Sequence, residues 1–242
     1  MKSNILFITT LFISIILMGC KKDSEDEFND ANGTVPEKLI KKVNIINKDD
    51  PTHNYTYTVN YDGENRVSSY TDGESSSFLN FDQNGNLNSI TDAYETINMS
   101  ELYQAPYDAF ESGDVIEYDN NGNPALIEVW KDGFGSELLN GEIIYDPNPN
   151  PYFYTLKAAG IIEVLDRVDL NFGYNVPSIV KARKLLFFNN PRAMIFKNTE
   201  GMTEYESQVT YEYDNDGYPI KAGIIAISLE GTSNYEVYYT YK

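Results

Sequence analysis

One short turn is written into this chain four times. An aromatic residue and an aspartate end an apolar segment, a few turn-forming residues follow, and a new apolar segment starts. The copies are Tyr61-Asp62-Gly63-Glu64-Asn65-Arg66-Val67, Phe81-Asp82-Gln83-Asn84-Gly85-Asn86-Leu87, Tyr118-Asp119-Asn120-Asn121-Gly122-Asn123-Pro124 and Tyr213-Asp214-Asn215-Asp216-Gly217-Tyr218-Pro219. Tyr145-Asp146-Pro147-Asn148-Pro149-Asn150 reads as a divergent fifth. The Asp side chain can accept hydrogen bonds from amides of its own turn, Asn and Asp suit a type I bend, and Gly supplies the positive φ that closes it. Each copy reads as a β-hairpin connection. A chain that doubles back this tightly and this often is committed to antiparallel sheet.

The segments between the turns agree. Tyr55, Tyr57, Val59 and Tyr61 alternate with Thr56, Thr58 and Asn60; Val209, Tyr211 and Tyr213 repeat the pattern, as do Val237, Tyr239 and Tyr241. Period-2 alternation predicts one buried and one solvated face. Segments 76–81, 115–118, 125–130 and 142–145 also read as strands. The chain holds 20 Tyr and 12 Phe against one tryptophan, Trp130, a bias that suits pleated surfaces. The exception is 154–168, where Leu156, Ala159, Ile162 and Leu165 recur at helical spacing, Pro149 and Pro151 lead in, and Gly160 costs about 1 kcal/mol. Ser178 to Leu186 reads as a second, shorter helical turn closed by Asn189, Asn190 and Pro191. The expected fold is mainly β: a single curved antiparallel meander or partial barrel of hairpins, with one helix at about 154–168 inserted in the second half.

The N-terminus reads as a lipoprotein signal. Lys2 precedes the charge-free run Ile5–Met18, and Gly19-Cys20 follow. Cys20 is the only cysteine and the expected lipidation site. Leu17 and Gly19 fit the lipobox, whereas Met18 is larger than usual. The 14-residue run spans only about 21 Å as a helix, short of the ~30 Å that a membrane anchor must cross. A plain secretory signal would leave a free thiol with no partner. The expected division is a signal over 1–19, lipidated Cys20 with an acidic flexible tether over 20–36, and a β-rich domain over 37–242. Residues 21–36 (KKDSEDEFNDANGTVP) carry the acidic cluster Asp23, Ser24, Glu25, Asp26, Glu27. As a random coil the tether would reach roughly 20–24 Å.

The turns resemble the YD repeats of RHS-type bacterial surface and toxin proteins. The lipoprotein signal, acidic tether, Tyr-Asp hairpins, the helix after Asn150-Pro151-Tyr152, the Asn189-Asn190-Pro191 segment and the Tyr-rich final strand together resemble a family of uncharacterised Gram-negative surface lipoproteins. That resemblance implies a porin-like curved antiparallel sheet and an outer-membrane address, lipid-anchored and facing the cell exterior. The acidic cluster after Cys20 resembles a surface-export signal.

Composition narrows the function. A formal net charge of −19 argues against nucleic acid and anionic headgroups. The single histidine, His53, beside Pro51 and Thr52, reads as a turn residue rather than a zinc ligand or triad base. Asp82, Asp119, Asp214 and Asp216 sit as in the first half of a calcium loop, yet position twelve holds Ala93, Trp130 or Ile225 instead of Glu. Weak calcium binding there is a minor alternative to a plain turn; no cofactor is expected. Trp130, beside Asp132, is a candidate stacking platform for sugars, set against a packed core role. Glu163 and Asp166 share a helix face but are as well explained as solvated charges, and no nucleophile elbow, phosphate loop or metal signature occurs. Lys181, Arg183 and Lys184 form a basic patch. The expected function is a surface-exposed binding or interaction module, with a glycan or protein ligand and no enzymatic activity. The alternatives are a carboxylate-dependent glycan hydrolase and a purely structural envelope component.

Overall fold

The computed structural model describes residues 24–102, 113–131, 137–167 and 186–242. The Tyr-, Thr- and Ile-rich segments form one antiparallel sheet. Its strands are β1 (Ile40–Asn47), β2 (Tyr55–Tyr61), β3 (Val67–Thr71), β4 (Ser76–Phe81), β5 (Leu87–Thr91), β6 (Thr96–Asn98), β7 (Gly113–Tyr118), β8 (Pro124–Trp130), β9 (Leu138–Pro149), β10 (Asn189–Lys197), β11 (Thr203–Tyr213), β12 (Pro219–Ser228) and β13 (Gly231–Tyr241). The spatial order is β6-β5-β4-β3-β2-β1-β13-β12-β11-β10-β9-β8-β7. The sheet is therefore a meander, as the turns require, and it is not closed into a barrel. The first and last strands in sequence meet mid-sheet, where β1 pairs with β13, and among the described residues the two edge strands are the consecutive β6 and β7.

The four aspartate turns share one geometry. The Asp amide donates to the carbonyl four residues on, and the residue at Asp+3 takes positive φ: Asn65 at 64°, Gly85 and Gly122 at 82°, Gly217 at 81°. In the first copy Asn65, not Gly63, fills the left-handed position. The Asp Oδ1 accepts from the amides at +2 and +4, for example Asn84 at 2.9 Å and Asn86 at 2.8 Å on Asp82. Beside each turn the strand pair slips by one residue, as where Asn60 faces Ser69 and Tyr61 faces Val67, which marks a bulge.

Two readings of the turn pattern are corrected. Tyr145-Asp146-Pro147-Asn148 is no hairpin; it lies within β9, where Asp146 accepts the Asn148 amide at 2.8 Å and the Tyr213 hydroxyl. The fifth hairpin of this type is Asn198-Thr199-Glu200-Gly201-Met202. Asn198 there does the work of Asp, its Oδ1 accepting from Glu200 at 3.1 Å and Met202 at 3.0 Å, with Gly201 at φ +81°.

The predicted helix over 154–168 is two helices, α3 (Phe153–Ala158) and α4 (Ile161–Arg167), among the described residues. Gly160, at φ +72°, separates them; its amide donates to the Lys157 carbonyl at 2.8 Å and ends α3. A Cβ at this position would sit 2.9 Å from Leu87 Cβ, so Gly160 also lets the joint rest on the sheet. The reading of Ser178 to Leu186 as helical, and the basic patch within it, lie outside the described residues apart from buried Leu186.

The tether reading is also corrected for residues 24–32. Ser24–Asn32 is a helix; it takes the label α1, and α2 is Met99–Leu102. Phe28 in α1 is 0 % exposed, stacked on Phe153 at 3.9 Å between ring centroids and edge-on to Tyr154 at 5.4 Å. Phe28, with Ala31 and Val35 packed against the same cluster, outweighs the acidic run, because burying a Phe contributes ~1.5–3 kcal/mol.

Directly opposed residues in an antiparallel pair share a face. The register runs Tyr211–Ala222–Val237–Ile45–Tyr55 across β11, β12, β13, β1 and β2, with Tyr70 opposite Val59 and Phe196 opposite Tyr205. This is the face that carries the helices. Ala159 and Val164 pack on Val67, Leu79 and Leu87, and Phe153, Tyr154 and Ile162 pack with Phe28 and Tyr218. Ile40, Val43, Ala222 and Val237 form the third cluster at mid-sheet. The opposite face carries polar ladders, among them Asn60 Nδ2 to Ser69 Oγ at 3.0 Å and Thr56 Oγ1 to Asn44 Oδ1 at 3.0 Å.

Candidate functional site

The inner face has two ends. At the turn end, tyrosines near the strand termini donate to the backbone of the preceding strand. Tyr61 donates to the Ile40 carbonyl at 2.6 Å, Tyr145 to Pro124 at 2.8 Å, Tyr211 to Pro191 at 2.8 Å and Tyr241 to Pro219 at 2.7 Å. Each spans 20 to 22 residues of sequence. Burial pushes all four phenols above their ordinary pKa, so the hydroxyls remain donors.

A buried amide network ties this end together. Asn123, 0 % exposed, accepts from the Phe188 amide at 2.8 Å and the Asn189 amide at 3.0 Å, and donates to Asp119 at 2.9 Å and Asn189 at 2.8 Å. Asn189 in turn donates to Asn32 Oδ1 at 2.6 Å, which joins α1 to β8 and β10. With each amide paired, the network is stabilising rather than a burial cost. Lys38 sits beside it, 2.5 Å from Asp214 and 2.7 Å from Asp216, over the rings of Tyr218 and Tyr241. Burial would lower its pKa, but the two carboxylates hold the ammonium above its usual value.

At the other end the same face is uncovered. Tyr55 is 49 % exposed, Tyr57 40 %, Tyr70 44 % and Tyr205 42 %. Ile97 on the edge strand β6 is exposed on the same face, and Tyr235, Ile224 and Phe196 are half-buried. Tyr152, at the start of α3, meets Tyr239 edge-on at 6.1 Å and continues the strip to the helical cover. The rings belong to β2, β3, β11 and β13, held in place by the ladder and aimed by the pleat. Such a surface can stack on flat apolar faces while its hydroxyls exchange hydrogen bonds, which suits sugars and partner side chains. The sequence signalled this face through period-2 tyrosines, but not that this end lacks cover.

The residues singled out from sequence do not converge on the strip. Trp130 ends β8 half-buried, on the face shared with Leu126 and Glu128, opposite to that of Ile127; Asp132 lies outside the described residues. Asp82 and Asp119 sit in separate turns, their oxygens turned to their own turn amides, and Asp214 and Asp216 face the Lys38 ammonium. Among the described residues no three metal-ligating side chains come together. Glu163 is exposed on α4. His53 lies in a 3-10 turn over Pro51–His53, exposed, with Nδ1 2.9 Å from Asp50 Oδ2. Cys20 lies outside the described residues.

No protein-family model matches the chain, and no curated protein sequence does. The solved structures similar to it include a porin-like protein from Bacteroides uniformis, at 12 % identity and TM-score 0.40, which spans 86 % of this chain and 100 % of that one. A porin-like protein from Bacteroides vulgatus matches at 11 % identity and TM-score 0.31, over 85 % of this chain and 99 % of its own. A LolA superfamily protein from Nitrosomonas europaea matches at 9 % identity and TM-score 0.28, over 90 % and 91 %.

Proposed function

We propose that this protein is a lipid-anchored binding module of the bacterial outer membrane, exposed on the cell surface, whose contact surface is the tyrosine strip at the open end of the inner face. The signal pattern ending at Cys20 supports the anchor. The strip carries the binding reading: four large aromatic side chains share a face with the core yet stand 40 to 49 % exposed on rigid strands. Stability does not ask for them, since exposed rings contribute little burial energy. Hydroxylated rings on a chain of net charge −19 suit a neutral, polyhydroxylated ligand, a glycan, and repel polyanions.

The test is a glycan array followed by calorimetric titration of residues 20–242 bearing Cys20→Ser, beside the same chain with Tyr55→Ala and Tyr57→Ala. Binding to one glycan class, lost in the double variant at an unchanged melting temperature, is the expected result. Capture of a protein instead would reassign the ligand. Glycan binding untouched by the tyrosine changes would remove the strip from the proposal. Protease shaving of whole cells tests the surface address.

A further inference from the structure

The docked N-terminal helix bears on orientation. Only Lys21, Lys22 and Asp23 separate Cys20 from Ser24, and Ser24 is 0 % exposed at the start of α1. Four Cα steps of a trans chain reach at most about 14 Å. A free chain from Cys20 to Pro36 would have let the body turn at will; α1 removes most of that length. The helix is clamped by the Phe28 stack, by the Asn32–Asn189 bond, and by Lys157, whose ammonium lies 2.8 Å from Glu25 and 3.2 Å from Glu37. Its landing site is the turn end, beside α3, the start of β1 and the turn at Asp214.

We infer that α1 is a rigid spacer that sets the direction of the whole body: the helix-covered turn end faces the membrane and the tyrosine strip faces away from it. This rests on the reading of Cys20 as the lipidated residue. The strip lies at the far ends of β2, β11 and β13, and β12 alone carries the chain about 30 Å from Pro219 to Ser228. A short leash at one end of a body this long leaves the opposite end outermost. A ligand in the medium then meets the strip first, without any domain motion.

The test uses the acylated full chain in lipid vesicles holding a headgroup acceptor dye. Cys20 is the only cysteine and is consumed by the lipid, so one new thiol can be labelled at a time. Glu64→Cys reports on a turn at the covered end, and Leu229→Cys on the β12–β13 turn at the open end, where Leu229 is 77 % exposed. The expected result is energy transfer to the bilayer several-fold stronger from position 64 than from position 229. A flexible ten-residue Gly-Ser insert between Asp23 and Ser24, ahead of the helix, should bring the two signals within twofold. Phe28→Ala should do the same if the variant folds. Equal transfer from both positions in the parent, or a reversed order, overturns the inference while leaving lipidation standing. An unmodified Cys20 in the intact protein's mass spectrum overturns both.

Discussion

Tyr61 and Tyr57 stand four residues apart on one strand and face the same way, yet they meet different fates. Tyr61 is roofed by the helix-side core and gives its hydroxyl to the Ile40 carbonyl. Tyr57 stands 40 % exposed. The same contrast separates half-buried Tyr211 from exposed Tyr205 on β11. The difference is not in the strands, whose pleat and register are continuous, but in what the chain lays over them. α1, α3 and α4 roof the turn end and leave the other bare. A strand pattern fixes which way a side chain points; a remote segment decides whether it is buried.

The contrast can be broken first at Phe28. Phe28→Ala removes a wholly buried ring between Phe153 and Tyr154 and should cost about 3–5 kcal/mol, read as the urea midpoint. A loss under ~1 kcal/mol would mean that α1 is not part of the core. Next is Asn123→Ala, which orphans the Phe188 and Asn189 amides and should cost about 2–3 kcal/mol by the same measurement. Gly160→Ala sharpens the comparison through its sign. Sequence pattern alone expects a gain of about 1 kcal/mol from replacing a helical glycine. The structure expects a loss of similar size or larger, since φ +72° and the contact with Leu87 both oppose a Cβ.

Acid should act through carboxylates at both ends of the sheet, Asp62 and Asp214 in the turns among them, since all are held below their ordinary pKa. The hydroxyl of Tyr238 and the ammoniums of Lys221 and Lys48 draw the Glu236 carboxyl down to about 2. Backbone amides hold Asp72 and Asp92 below the usual carboxylate range. A carboxyl whose folded pKa lies below its unfolded value stabilises the fold above about pH 4 and ceases to as pH falls through the folded value. The urea midpoint should be level from about pH 7 to 5 and decline below about pH 4, with Asp72→Asn plus Asp92→Asn flattening the start of the decline. The smallest effect belongs to the open end. Tyr70→Ala should move stability by no more than about 0.5 kcal/mol in thermal melts while weakening ligand binding.

Much of the architecture was legible because its signals are local. Asp with an Asn or Gly three residues on encodes the bend whatever the rest of the chain does, and four such bends imply a meander. The misses arose where the decision is non-local. Tyr145-Asp146 carries the right letters, but β10 pairs across it and Asp146 is taken by Tyr213. The Asn198 turn escaped because Asn replaces Asp and its aromatic, Phe196, stands two residues back instead of one. The tether reading weighed charge and missed that Phe28 meets Phe153, 125 positions away in the chain. Gly160 looked like a flaw in a helix because Leu87, its neighbour in space, is invisible from helical spacing. The tyrosine strip was visible as a face and not as an opening, for the roof over the other end comes from segments far off in sequence.

The pairing of the first strand with the last has a consequence for assembly. β1 and β13 are partners at mid-sheet, from Ile40 opposite Tyr241 to Asn47 opposite Tyr235, so the two half-sheets are joined through a contact spanning nearly the entire polypeptide. Closing so long a loop is entropically slow, and such pairings form late. The two half-sheets cannot lock together until β13, the strand latest in sequence among the described ones, is in place beside β1. Premature locking is forbidden by geometry, and removal of β13 leaves two half-sheets with β1 and β12 as raw edges.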